Sequence, residues 1–377
     1  MTLRWSPQQA EALAVAGAWL RIRHSPFFYL AGYAGTGKST LANHIASHEK
    51  GKVAFAAFTG KAAKVMRQKG CKGAKTIHSL IYQTEIEKQT GELISHLDPH
   101  ALDDYSLVVV DEVSMVNEQI GKDLLSFGVP VLVLGDPGQL PPVQGSGYFT
   151  SKTPDFMLTE VQRQAKDSPI IRLATRIREG GSLFDFASVD GLTICRKQDL
   201  DPRHVTEADV IIVGRNKTRA AYNRRIREIQ GQSDFLPGAG ETLICLRNAS
   251  GQQGAGAQVF NGETFRVLKR KRSRTDQYGK IVRLNLCDPD DDGRKPFEVS
   301  VRHQFFEDEE AAKALPYKSG YGLHQFTYGY AITVHKSQGS QWPRVCLFDE
   351  SAAFGDDARK HLYTACTRAS EHLTLVV

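Results

Sequence analysis

The stretch Gly32-Tyr33-Ala34-Gly35-Thr36-Gly37-Lys38-Ser39 decides the fold of this chain. It satisfies the spacing G-x-x-x-x-G-K-[ST], follows the apolar run 27–31 and opens into a helix-compatible stretch from Thr40. That is the strand, loop and helix context the pattern requires. Glycines let backbone N–H groups turn inward around phosphate oxygens, and the helix start adds the positive end of its dipole. Lys38 can then reach the β- and γ-phosphates of a nucleoside triphosphate, and Ser39 can ligate Mg²⁺.

At 377 residues the chain is too long for one ordinary core, so two or more domains are expected. Hydrophobic residues at 41% and charged ones at 24% are ordinary globular proportions, neither disordered nor membrane-like. No run is long enough to span a bilayer. The apolar stretch 12–20 follows Glu11 without a basic leader or cleavage site, so no signal peptide is expected. Lys and Arg total 48 against 42 Asp and Glu, leaving a net charge of +6 that is compatible with nucleic acid but argues nothing alone. The six cysteines form no C-x-x-C pair and have no metal-ligand spacing with histidine, so reduced structural thiols of a cytoplasmic protein are expected.

From 27 to about 160, short apolar runs at 27–31, 53–58, 107–110 and 129–134 alternate with helix-compatible stretches, the texture of a parallel α/β sheet. The pattern returns at 210–213, with a helix-like Arg-rich stretch at 219–229, and again at 345–348 and 373–377, which suggests a second α/β unit. Between 240 and 306, strand-like pieces at 242–246, 264–268, 281–286 and 297–301 alternate with polar turns and read as a small inserted β-barrel. The segment 82–105, with Thr90-Gly91 between polar stretches, reads as an inserted β-hairpin.

The apolar run 107–110 ends in Asp111-Glu112, which puts a metal-binding carboxylate beside the phosphate loop and a candidate general base next to it. The next run leads into Gly135-Asp136-Pro137-Gly138-Gln139-Leu140-Pro141-Pro142. Asp111-Glu112-Val113-Ser114-Met115 together with this segment resembles motifs II and III of the superfamily 1 helicases, and the subclass it looks closest to is 1B, the RecD-like, Pif1-like and phage Dda-type enzymes. The likeness extends over nearly the whole chain. Ser6-Pro7-Gln8-Gln9-Ala10 resembles the N-terminal glutamine motif that reads adenine, aligned on Gln9 with Gln8 one residue away. Phe58-Thr59-Gly60-Lys61-Ala62-Ala63 resembles motif Ia, with Phe58 where many relatives carry proline, and Thr76-Ile77-His78-Ser79 resembles motif Ib. Thr333-Val334-His335-Lys336-Ser337-Gln338-Gly339-Ser340 resembles motif V, and Tyr363-Thr364-Ala365-Cys366-Thr367-Arg368-Ala369 motif VI. Arg163, in Leu158-Thr159-Glu160-Val161-Gln162-Arg163, resembles the motif IV arginine.

The resemblance implies an α/β fold of two RecA-like parallel-sheet P-loop domains, 1–160 and 161–239 with 307–377, carrying a wedge hairpin at 82–105 and an SH3-like barrel at 240–306. It implies ATP and Mg²⁺, with Gln9, Gly35, Thr36, Gly37, Lys38, Ser39, Thr40, Gln338 and Gly339 on the nucleotide and Ser39 with Asp111 on the metal. Lys38, Glu112, Gln139 as γ-phosphate sensor, and Arg163 and Arg368 as fingers would carry catalysis; the alternative for each arginine is an interdomain salt bridge. Thr59, Lys61, Thr76, His78, Thr333, His335 and Ser337 would hold a single DNA strand. The implied function is ATP-driven, 5′ to 3′ DNA translocation and unwinding of forked DNA by a monomer in the cytoplasm of a bacterial or phage-infected cell. An RNA helicase or non-unwinding translocase would carry the same motifs. A nucleotide-gated DNA-binding switch would not need Glu112 with two arginines.

Two basic runs stand outside these motifs. Lys269-Arg270-Lys271-Arg272-Ser273-Arg274 and Arg224-Arg225-Ile226-Arg227 could contact phosphates, and a solvated hairpin turn accounts for the first equally well. The aromatics Tyr317, Tyr321, Phe326, Tyr328 and Tyr330 could stack on bases or pack in a strand core.

Overall fold

Strand β1 (Phe27–Gly32) is apolar along its whole length because it is covered on both sides, as parallel strands are. A computed structural model describes residues 4–86, 93–142, 146–162, 167–183, 188–249, 259–289, 293–320 and 322–377. After β1 come β2 (Lys52–Ala57), β3 (Lys75–Thr76), an antiparallel pair of β4 (Tyr82–Ile86) and β5 (Leu93–Leu97), then β6 (Tyr105–Asp111), β7 (Val131–Gly135) and β8 (Phe156–Leu158). Six of these form one parallel sheet in the order β3-β2-β6-β7-β1-β8. Side-chain parity divides its core. Tyr29, Ala31, Val108, Val110, Val131 and Val133 face one side, while Phe28, Leu30, Leu107, Val109, Leu132 and Leu134 meet Trp19, Leu41 and Ile45 on the other. The carboxyl ends of β1, β6 and β7 therefore share one edge, where open α/β sheets bind ligands.

The second half builds another parallel sheet from β9 (Leu192–Cys195), β10 (Val210–Val213), β16 (Ala331–Thr333), β17 (Trp342–Phe348) and β18 (Ala369–Val376), ordered β16-β10-β17-β18-β9. Between β10 and β16 the chain makes an antiparallel sheet of β11 (Thr242–Cys245), β12 (Thr264–Asp276), β13 (Gly279–Cys287), β14 (Phe297–Arg302) and β15 (Phe326–Tyr328), ordered β14-β13-β12-β11-β15. Phe265 stands edge-on to Phe297 and Phe326 in its core, at 5.2 and 5.8 Å. This sheet takes its last strand from beyond residue 306, so it extends past the bounds read from the sequence.

Two readings change, and for two aromatics the core alternative holds. The basic run 269–274 lies on strand β12, paired to β13, and the turn falls at 277–278. The thirteen residues of β12 pair with β13 across two register shifts, and Arg270 is bridged to Asp234 at 2.6 Å. Arg227 belongs to the interior rather than to a phosphate-facing surface. Phe326 and Tyr328 are buried in the antiparallel core, whereas Tyr321 and the Thr90-Gly91 turn lie outside the described residues. Among the described residues, no helix is long and apolar enough to cross a membrane.

Arg227, near the end of the helix Asn216–Ile229, ties the antiparallel sheet to the second parallel one. Its guanidinium grips Glu241 (2.6 Å from Nε to Oε1), donates to the Leu236 carbonyl at 3.3 Å and lies over the Tyr328 ring at 4.2 Å. The Glu241 side chain is 1% exposed, so removing its partner strands a buried charge. Arg227→Leu is expected to lower the unfolding free energy by about 3–5 kcal/mol in urea titration.

Candidate functional site

Gly35 (φ 77°) and Gly37 (φ 88°) take left-handed backbone conformations that a side chain would strain, which lets the loop after β1 curl before the helix Lys38–Ser47. Gln9 supports it from below. Ser6 and Gln9 form a capping box on the helix Pro7–Ile22, and the Gln9 amide donates to the Thr36 carbonyl at 3.2 Å. Gln9 is 4% exposed and both ends of its amide are engaged by the protein, so here it braces the loop. Gln8 instead ties the segment after β8, accepting from the Thr159 and Glu160 N–H groups. Lys38 donates to the Gly32 and Tyr33 carbonyls at 2.6 and 3.0 Å.

A cleft of about 1110 Å³ opens at this loop, lined by Gly35, Gly37, Lys38, Ser39 and Thr40. Asp111 and Glu112 enter it from β6, Asp136 and Gln139 from the loop after β7, and Gly339, Ser340 and Arg368 from the second parallel-sheet unit. Ser39 donates to Asp111 at 3.0 Å, so a hydroxyl and a carboxylate converge at a helix start. This all-oxygen pair fits Mg²⁺ beside bound phosphates. Glu112 sits at φ 54°, ψ 47° with its N–H given to Asp111 at 2.8 Å; it and Arg23 are the non-glycine residues with positive φ among those described. Burial raises the Glu112 carboxyl above its ordinary range, against the pull of Arg368 and Lys38 and with the push of Asp111 and Asp136. A raised carboxyl in a strained backbone position suits a proton acceptor. The Gln139 side chain accepts from Ser114 at 3.3 Å.

Arg368 is 3% exposed and held by its own unit, donating to the Thr364 carbonyl (3.0 Å), the Ser340 carbonyl (3.2 Å) and the Thr367 hydroxyl (3.0 Å). Gln338 points away from the cleft and donates to the Leu140 carbonyl at 2.9 Å, so its contact is with the loop carrying Gln139. Gly339 (φ 73°) touches the first unit: a Cβ there would lie 2.9 Å from that of Ala62. Arg163 lies outside the described residues.

The strand-contact candidates divide by exposure. His78 is exposed, and Thr59 and His335 are half-buried. Thr59, Thr76 and Thr333 each cap the helix that follows, accepting from Ala62, Ser79 and Lys336 N–H groups. Capping uses a lone pair, and half-buried Thr59 keeps a hydroxyl proton to donate, whereas Thr76 is 2% exposed with its hydroxyl 2.8 Å from that of Ser79 and Thr333 is 6% exposed. Lys61 is buried with its ammonium 4.1 Å from the Trp342 ring centre. Ser337 corrects an expectation: it is 0% exposed and its hydroxyl donates to the Val334 carbonyl at 2.7 Å, so no side-chain contact to a phosphate is open to it.

Sequence reasoning passed over Tyr363, Thr364 and Asp136, though each lies within a quoted motif. Tyr363 donates to Asp136 at 2.6 Å and accepts from the Ala34 N–H at 3.0 Å, and Thr364 accepts from the Leu140 N–H at 2.9 Å.

The AAA domain family matches residues 6–195 and the UvrD-like helicase C-terminal domain family residues 328–376. The chain is 28% identical over 367 residues to the ATP-dependent RecD2 DNA helicase of Deinococcus radiodurans, covering 91% of this chain and 46% of that protein. It is 34% identical over 177 residues to the ATP-dependent DNA helicase dda of Enterobacteria phage T4, covering 42% of this chain and 39% of that protein. The chain thus spans less than half the length of either relative. Among solved structures, a study of forked-DNA unwinding by two Pif1 helicases aligns with 100% of this chain and 92% of that one at 16% identity and TM-score 0.61. The Bacteroides Pif1 helicase with ADP-AlF3 and single-stranded DNA aligns with 100% of this chain and 93% of that one, also at 16% identity, with TM-score 0.60. At this identity the structures establish the shared α/β fold of parallel-sheet P-loop units.

Removing the one ammonium of the phosphate loop tests the cleft directly. Lys38→Ala is expected to abolish saturable binding of a fluorescent ATP analogue in the presence of Mg²⁺, while far-UV circular dichroism stays native. Retained affinity would place the nucleotide elsewhere.

Proposed function

Since the chain belongs to the superfamily 1B helicases, we propose that it is an ATP-driven motor that moves 5′ to 3′ along single-stranded DNA and unwinds forked duplexes. The observation that carries this reading is the make-up of the cleft: Lys38, Asp111 and Glu112 come from one parallel-sheet unit and Arg368 from the other. Hydrolysis in such a cleft depends on how the two units sit together, and that dependence is what converts chemistry into movement.

In this reading Lys38 binds the β- and γ-phosphates of ATP, and Ser39 with Asp111 holds Mg²⁺, which supplies charge neutralisation at the phosphoryl oxygens. Glu112 accepts the proton of the attacking water, and its raised affinity for protons supports that role. Gln139 orients at the γ-phosphate. The Arg368 guanidinium leaves its own carbonyls to offset charge on the transferring phosphoryl group, with Arg163 as a second finger. Thr59, Thr76 and His78 on one unit and Thr333 and His335 on the other alternate as the tighter grip on strand phosphates. The antiparallel sheet around β11 to β15 would be the SH3-like insertion. The β4–β5 pair would be the wedge, a reading supported by its anchored root, where Tyr82 donates to Asp123 at 2.5 Å and Gln83 to Asp98 at 2.7 Å.

Changing Glu112 to Gln keeps size and removes the proton acceptor. ATP and DNA should still bind, while DNA-stimulated turnover falls by about 10²-fold or more; unchanged turnover would move the base elsewhere.

Direction is read by unwinding and substrate by ATPase stimulation. Forked or tailed duplexes with a 5′ single-stranded tail should be unwound and those with only a 3′ tail should not. Matched DNA and RNA oligonucleotides should differ, with DNA giving the larger ATPase stimulation. Preference for the 3′ tail would overturn the polarity, and equal or greater stimulation by RNA would overturn the substrate.

A further inference from the structure

Tyr363 is a second-unit residue whose hydroxyl is used entirely by the first unit. It lies on the helix Ala358–Cys366, is 1% exposed, and its ring edge approaches Gly138 so closely that a Cβ there would be 3.1 Å from a ring carbon. Its oxygen accepts the Ala34 N–H of the phosphate loop at 3.0 Å and donates to Asp136 Oδ2 at 2.6 Å. The other oxygen of Asp136 takes the Gly138 N–H at 2.9 Å, one residue before Gln139. One oxygen atom is thus shared between the loop that holds phosphates and the loop that carries Gln139. It is supplied by the helix that runs on to Arg368.

Two physical consequences follow. Asp136 is 3% exposed, and a hydrogen bond to a buried carboxylate is among the stronger kinds, so separating the units leaves that carboxylate short of a donor and the Ala34 N–H short of an acceptor. Burial also holds the Tyr363 proton more firmly than in water, which keeps the hydroxyl a donor across the working pH range.

We propose that the Tyr363 hydroxyl is a positioning group that sets the phosphate loop and the Gln139 loop against each other only when the two parallel-sheet units are closed, and so makes hydrolysis conditional on closure. It touches neither substrate nor reacting atoms; it acts through Ala34 and Asp136. The inference rests on the reading of the cleft as a DNA-stimulated ATPase, and its test keeps the two apart.

Tyr363→Phe retains the ring and its packing and deletes the shared oxygen. DNA-stimulated kcat should fall by about tenfold or more while KM for ATP changes far less. In an Asp136→Asn background the same substitution should add little further loss, because the two groups act as a pair. Hydrogen exchange gives an arm that needs no turnover: the amide of Ala34 should exchange at least about tenfold faster in Tyr363→Phe. An unchanged kcat, full additivity with Asp136→Asn, or unchanged exchange at Ala34 would each overturn the proposal. A wild-type chain without DNA-stimulated hydrolysis would sink the functional reading, while the exchange measurement would still decide the role of the hydroxyl.

Discussion

Closure of the cleft rests on polar groups that the second parallel-sheet unit commits to backbone groups and one carboxylate of the first. Tyr363 serves Ala34 and Asp136, Thr364 takes the Leu140 N–H, and Gln338 gives to the Leu140 carbonyl. All are buried, so each backbone group they satisfy would be left unmatched at a dry surface if the units merely drew slightly apart. The arrangement therefore favours two states, joined or well separated with water between. Intermediate gaps are disfavoured. Leu140 marks the seam from the apolar side, since it packs within the core cluster of the second unit although it follows a strand of the first.

Strain is concentrated beside this seam. Glu112 holds a left-handed backbone in which most side chains are disfavoured, and its N–H bonds back to the preceding carboxylate. The Val113–Met115 turn that follows, with Val113 and Val116 in the core, fixes that conformation. Packing thus stabilises a geometry that local preference opposes, and the product is a carboxyl turned toward the cleft beside Asp111.

The phosphate loop, the acidic pair and both parallel sheets were legible because their signals are local: a fixed glycine spacing and apolar runs that end in charged residues. The strands β3, β8, β9, β15 and β16 were not. Each has two to four residues, too few for alternation, and each is recruited by a neighbour distant in sequence. The extent of β12 was hidden by its own charges, because a basic run reads as a turn unless the partner strand is known. Within the site, Lys38, Glu112 and Arg368 were expected from their motifs, and all three line the same cleft. Tyr363 could not, since an aromatic on a helix reads as core and its value comes from two partners more than two hundred residues away. Ser337 differs the other way: its motif suggested an outward hydroxyl, and in the four-residue helix Val334–Ser337 that hydroxyl donates to the Val334 carbonyl.

The helix Gly60–Gln68, part of the first unit, also meets the antiparallel sheet and the second parallel sheet. Gly60 leaves room for Phe260 of the antiparallel unit, Lys64 is bonded to Asp288 of the same unit at 2.8 Å, and Lys61 lies against Trp342 of the second parallel sheet. Mechanically this makes a frame rather than a pair of jaws. A load applied at Thr59, the residue that caps this helix, is shared along three struts, so stiffness in one direction does not depend on any single joint. Lys61 is buried and the Lys64–Asp288 pair nearly so, which leaves each of these joints shielded from water rather than loosened by it.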